Sequence, residues 1–138
     1  MLVRWIYISE SRIPTANADK EVGDIVNFSM RRNRSIEVTG ALLFTGLHFA
    51  QYIEGPVASV DALKISILRD PRHGEIKTIA DGSLSHRHFL NWSLAYAGPS
   101  RFVANTIEAA LDKAMHGGRN NIDRLVKLMT EFTIQGRS

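Results

Sequence analysis

Two runs in the middle of the chain set its pattern. Val38 to Phe44 (VTGALLF) is built from β-branched and large apolar residues, and His48 to Ile53 (HFAQYI) alternates so that Phe49, Gln51 and Ile53 share one strand face. The spacing predicts a hairpin with a two-residue turn at Thr45-Gly46. Gln51 is a polar exception among apolar positions. A primary amide carries two donors and an acceptor, so burying it demands polar company, which a neighbouring side chain or a ligand could equally supply.

Upstream, Leu2 to Ser9 alternates Val3, Trp5, Tyr7 and Ser9 against Leu2, Arg4, Ile6 and Ile8. Both faces are largely apolar, so the sheet needs a layer on each side. Ser11 to Ala16 reads as a loop around Pro14. A first helix is expected from about Asn17, with Val22, Ile25, Val26 and Ser29 on one face. Arg31 and Arg32 in its last turn suit the helix dipole, and Asn33 stands where asparagine commonly ends a helix. Downstream, Gly55-Pro56 opens a second helix carrying Val60, Leu63, Ile67 and Leu68, and Asp70-Pro71 stops it. Glu75 to Ala80 predicts a fourth strand, Asp81-Gly82 a turn and Phe89 to Tyr96 a fifth strand.

This order predicts an α+β fold: a ferredoxin-like mixed five-stranded sheet with both helices on one face. After Gly98 to Ser100 the composition changes. Asn105 and Glu108 predict the start of a helix bearing Ile107, Ala110, Leu111 and Ala114, which Gly117-Gly118 ends. A last helix carries Ile122, Leu125, Val126, Met129 and Phe132. The expected organisation is therefore a domain over 1–97 and a helical extension over 98–138 that covers the second sheet face.

The chain's 138 residues, 44% of them hydrophobic, suffice for one core but not two ordinary ones. With no cysteine there is neither a disulfide frame nor a thiolate site, and the opening MLVRWIYISE lacks an export pattern, so a cytoplasmic protein without membrane insertion is expected. A net charge of +3 is too small an excess to point to nucleic acid. No catalytic or metal spacing is present; His86 and His88, two apart, have no partner motif and are expected in a solvated loop. There is no GxGxxG or Walker loop. What remains is Tyr7, Asn33, Gln51 and Trp92, from three predicted strands and a helix end. A flat heteroaromatic ligand between the helices, its polar edge toward Asn33 and Gln51, would use them; so would a core with satisfied polar tips.

These residues also carry a resemblance. Asn33, then Val38-Thr39-Gly40-Ala41-Leu42-Leu43-Phe44, Gly46, Phe49, Gln51 and Ile53-Glu54-Gly55 resemble the signature of the BLUF family, bacterial blue-light sensors that use flavin. Asp70-Pro71-Arg72-His73 is similar to the family's DPRH run. The resemblance covers about the first hundred residues. It implies a flavin, FAD or alternatively FMN, held noncovalently between the first two helices, and a light switch without chemical turnover. Tyr7 then matches the family's photoactive tyrosine, Gln51 the glutamine joining tyrosine to flavin, and Asn33 the asparagine at the polar flavin edge. Trp92 completes the light-responsive set. Ile25 and Ile67 fall where the family packs the ring faces, and Asp70, Arg72 and His73 where it borders the ribityl and phosphate tail. Leu94 departs from the usual methionine of the family's WSM motif. The signal is expected to leave through a separate signalling protein or a homodimer interface.

Two other classes share the architecture. An acylphosphatase-like enzyme would want a glycine-rich anion loop after the first strand, and ISESRIPTAN has no glycine. A ferredoxin-like small-ligand or nucleic-acid-binding module would want aromatic and basic residues interleaved on an open sheet.

Overall fold

The computed structural model describes residues 1–135. Five strands, β1 (Leu2–Ser11), β2 (Thr39–Phe44), β3 (His48–Pro56), β4 (His73–Leu84) and β5 (Trp92–Tyr96), form one sheet in the order β4-β1-β3-β2-β5. The β2–β5 pair is parallel and the rest are antiparallel, which makes the sheet mixed. The helices are α1 (Ala18–Ser35), α2 (Val57–Arg69), α3 (Arg101–Met115) and α4 (Arg119–Gln135), with a single 3-10 turn over Thr15–Asn17. This is the expected α+β arrangement.

Strand alternation sorts the core into two layers. Trp5, Tyr7, Leu42, Phe49 and Ile53 face α1 and α2, where they meet Val22, Val60 and Leu63. Their sequence neighbours Ile6, Ile8, Leu43, Ala50 and Tyr52 face the other way, onto Ile107 and Leu111 of α3 and Leu125 and Met129 of α4. The sheet face that a strand-based RNA binder would leave open is thus covered.

Several boundaries differ from the expected ones, each for a local reason. The hairpin turn is Gly46-Leu47, one residue later, because Phe44 pairs with Phe49 and Thr45 N–H donates to the His48 carbonyl. Gly46 supplies the positive φ of 97°. Asn17 borders α1 without a side-chain capping bond. Asn33 does not end that helix: it is fully buried inside it, and Glu37 takes the left-handed exit at φ 61°. β4 runs through the expected Asp81-Gly82 turn because β1 continues to offer partners, Trp5 to Asp81 and Arg4 to Gly82. β5 begins only at Trp92, since the fully buried Glu54 carboxylate accepts His88 N–H (2.8 Å), Phe89 N–H (2.7 Å) and the Thr39 hydroxyl (2.8 Å), drawing the preceding loop away from strand pairing. Finally, α3 starts at Arg101 rather than Asn105, capped by Ser100, whose hydroxyl accepts from Val103 N–H. Glu108 is engaged elsewhere, by His48 and Thr45.

Gly40 is the tightest point of the sheet. A Cβ there would lie 1.8 Å from the Tyr52 carbonyl oxygen, and its N–H donates to Asn91 as β5 arrives. The glycine lets β2 sit close enough to carry β5, and with it Trp92, into the sheet.

Candidate functional site

Three strands deliver three polar tips to one point. Tyr7 of β1 lies opposite Gln51 of β3, Leu42 of β2 flanks Gln51 on the other side, and β5 sets Trp92 opposite Gly40. Trp92 Nε1 donates to Gln51 Oε1 at 2.9 Å, and Gln51 Nε2 donates to Tyr7 Oη at 2.6 Å. All three side chains are buried. Because the indole N–H can only donate, it fixes the amide with its oxygen toward Trp92 and its nitrogen toward Tyr7. The hydroxyl hydrogen of Tyr7 is left with no protein acceptor among the described residues. Burial pushes the Tyr7 phenol well above its ordinary pKa, and the Gln51 hydrogen bond offsets this only in part.

This relay forms one wall of a cleft of about 660 Å³, counting its open mouth. Ile25 of α1 and Ile67 of α2 supply apolar lining, while Ser29, Arg32 and Ser66 add polar groups. Asp70 and Arg72 line it where α2 gives way to β4, paired at 2.6 Å between Arg72 Nη2 and Asp70 Oδ2. Burial alone would raise the Asp70 pKa, but the Arg72 guanidinium and backbone N–H hold the carboxyl below its ordinary range, and the same pairing raises Arg72.

His73 plays a different part. It is buried, with Nε2 2.8 Å from the Ile67 carbonyl and Nδ1 2.6 Å from Ser9 Oγ. A carbonyl can only accept, so Nε2 carries hydrogen, and in the neutral ring Nδ1 takes the Ser9 hydroxyl. The ring therefore ties β1 to the end of α2 and packs edge-on against Tyr7 and Phe49, at centroid distances of 5.8 and 6.0 Å.

Asn33 is not among the lining residues, although Arg32 beside it is. Its Oδ1 accepts from Arg32 Nε at 3.3 Å, which fixes the amide, and Nδ2 is out of solvent with no partner among the described residues. Flipping the amide would oppose two donors, so the orphan nitrogen is a property of the site. Burial lowers the Arg32 pKa.

Eight of the nine expected residues, Tyr7, Ile25, Gln51, Ile67, Asp70, Arg72, His73 and Trp92, thus line one cleft, while Asn33 does not and is bonded to the lining Arg32. Ser29, Arg32 and Ser66 were not among them. Ser29 was legible as a polar residue on the apolar stripe of α1; Arg32 and Ser66 left no such sign.

The donor set fits a planar heteroaromatic ring with acceptors on one edge. It offers a glutamine with spare donor capacity and isoleucines from two helices, and an orphaned amide nitrogen lies on Asn33, next in sequence to the lining Arg32. Residues 2–95 match a family described as "Sensors of blue-light using FAD". The chain belongs to the BLUF family.

Relatives agree with the BLUF assignment. The "Blue light- and temperature-regulated antirepressor BluF" of Escherichia coli (strain K12) is 41% identical over 76 residues, which cover 55% of this chain and 18% of that one. A "Photoactivated adenylate cyclase subunit beta" of Euglena longa is 32% identical over 97 residues, 70% of this chain and 11% of that one. This chain therefore spans about a fifth or less of those relatives' length. The dark-state structure of BlrB, a BLUF protein, superimposes with TM-score 0.75 at 31% identity, covering 92% of this chain and 93% of that one. Residues 2–95 thus form a BLUF domain, a kind described as a sensor of blue light using FAD. No helix among the described residues is long and apolar enough to cross a membrane.

Proposed function

We propose that this BLUF domain senses blue light through FAD held noncovalently in the cleft between α1, α2 and the sheet, and signals by reversing the Gln51 amide. The observation that carries this reading is the Trp92–Gln51–Tyr7 relay, whose direction is set by the donor-only indole N–H of Trp92. When bound, the flavin supplies blue-light absorption and a transient acceptor for one electron and one proton. Asn33 Nδ2 and Gln51 Nε2 would hold its polar edge, Ile25 and Ile67 its ring faces, and the Asp70–Arg72 pair and His73 the region of its tail.

Tyr7 is the donor the chain contributes. Its Oη proton has no acceptor among the described residues, so its departure breaks no hydrogen bond to them. While that proton is away, Tyr7 Oη can only accept, which holds Gln51 Nε2 toward it; the amide can rotate or tautomerise as the proton returns. Return of the proton leaves Tyr7 able to donate to the new arrangement. In the rotated form the amide nitrogen faces Trp92 Nε1–H, and a buried donor without an acceptor costs about 1–3 kcal/mol. That is a coupling of roughly 5–150-fold, enough to bias a second element. Trp92 on β5 transmits it, and the output is contact with a separate cytoplasmic signalling protein or a dimer partner rather than turnover by this chain.

The test is the absorption of purified protein in darkness, under blue light and through recovery. An oxidised-flavin spectrum that shifts slightly to the red and returns in the dark, with Gln51→Leu binding flavin but not shifting, supports the reading. Failure to load flavin overturns it. Chromatography of the released cofactor separates FAD from FMN.

A further inference from the structure

Trp92 also borders a second concavity. It lies between the C-terminal half of α1, at Met30, Arg31 and Arg34, and the approach to β5, at Arg87 and Leu90. Three features converge there. First, β5 ends the sheet, so among the described residues one edge of Trp92–Tyr96 has no strand beside it. Second, three arginines face one glutamate, Glu37, across the groove. Arg31 Nε reaches only the Asn27 carbonyl, Arg87 bonds the Thr39 hydroxyl and the Glu54 carbonyl, and neither these two nor Arg34 pairs with a carboxylate among the described residues. Third, apolar surface lies between the charges, with Leu90 83% and Met30 47% exposed.

We propose that this groove takes an extended, acidic segment of a partner protein by strand addition to β5. A strand supplies the missing ladder, and its alternate side chains lie on the α1 side, carboxylates toward Arg31 and Arg34 and apolar groups against Met30 and Leu90. Nucleic acid brings no complementary ladder, and Trp92, 5% exposed, offers no stacking platform. A second copy using this edge would set arginines against arginines. The assignment deepens the sensor reading and rests on it for light dependence: Trp92 joins the groove to the Gln51 amide, so occupancy and amide state influence each other reciprocally.

The experiment is an amide NMR titration of the flavin-loaded full chain with a blocked peptide of about eight residues, Glu-Ser-Leu-Ser-Glu-Ser-Leu-Ser, whose glutamates and leucines share one strand face and which is long enough to span an edge strand. A lysine–leucine peptide and an oligothymidylate are the comparators, in darkness and under blue light. Saturable shifts on Trp92–Tyr96 and the end of α1, about tenfold tighter binding than the lysine peptide, and inversion of that preference in Arg31→Glu/Arg34→Glu support the proposal. The double variant's unchanged flavin spectrum certifies its fold. Shifts elsewhere, no saturation, equal binding of both peptides or tighter oligothymidylate binding overturn it. Equal affinity in light and dark, with the photocycle intact, removes the light coupling alone; peptide binding without any light-induced shift sinks the sensor reading and leaves the groove.

Discussion

The two faces of one sheet handle buried polarity in opposite ways. On the α3/α4 face the buried charge is Glu54, whose carboxylate takes three donors. The apolar layer on that face includes Ile6, Ile8, Leu43 and Ala50. On the α1/α2 face, supplied by alternate residues of the same strands, Tyr7 has a proton without an acceptor and Asn33 Nδ2 no partner among the described residues, and a cleft stays open between the helices. The α3/α4 face keeps one orphan of its own: Ser93 Oγ, on the edge strand β5 opposite Ala41, is the other unpartnered buried side-chain atom among the described residues. A closed face whose one buried carboxylate is fully bonded gives stability; a cleft with unspent hydrogen-bonding capacity beside it gives a place for a ligand to complete.

The contrast is sharpest when each face is damaged in turn. Leu111→Ala, in the sealed layer, is expected to cost about 2–5 kcal/mol of unfolding free energy while leaving the flavin spectrum and its light-induced shift intact. Denaturant titration alongside a light-minus-dark spectrum checks both halves. Trp92→Phe strikes the other face. With the indole N–H gone, the amide is no longer oriented, and dark recovery should change by about 5–150-fold, corresponding to the roughly 1–3 kcal/mol of a lost buried pairing. An unaltered recovery rate would mean that Trp92 does not set the amide.

Asn33→Ala gives the effect of opposite sign on the two states. Removing an orphaned buried amide should leave the flavin-free protein as stable or about 1 kcal/mol more so, while flavin affinity falls by about tenfold. Calorimetry of both forms with a flavin-binding titration measures it. If both forms lose stability equally, Nδ2 is not held in reserve for a ligand.

Much of this division was legible in the chain. The alternation in β1 and β3 placed Tyr7, Ser9 and Gln51 on one side and demanded a layer on each face, and the five-strand order followed from periodicity and turn chemistry. Boundaries were harder to read wherever a distant partner decided them. Asn33 reads as a helix end, yet tertiary packing carries α1 past it; Phe89 reads as strand, yet Glu54, thirty-five positions earlier, holds its N–H in a loop. His73 sits in a solvated-looking tetrapeptide, and only the Ser9 and Ile67 contacts place it against Tyr7. Such long-range hydrogen bonds leave no periodic trace.

The smallest expected effects are those of pH, and they again separate the groups. The Tyr7 phenol is raised, so its contribution to stability is complete below its unfolded value of 10.0 and is lost as pH rises beyond it. Phenolate absorbance should therefore report Tyr7 last among the tyrosines, after Tyr52, which burial pushes up to about 12. Asp70 is depressed, so its contribution is present above 3.8 and fades as pH falls below that. Its pairing with Arg72 is partly exposed and solvent-screened, so Asp70→Asn should loosen that corner of the cleft with little change in global stability.

The most direct test of the relay is a light-minus-dark infrared difference spectrum with the glutamine side chains carrying an isotope label at the amide. The account predicts label-sensitive bands that appear under blue light, decay with the flavin shift and vanish in Gln51→Leu. A full flavin shift with no label-sensitive band would contradict it, because the amide of Gln51 would then be a bystander to the light response.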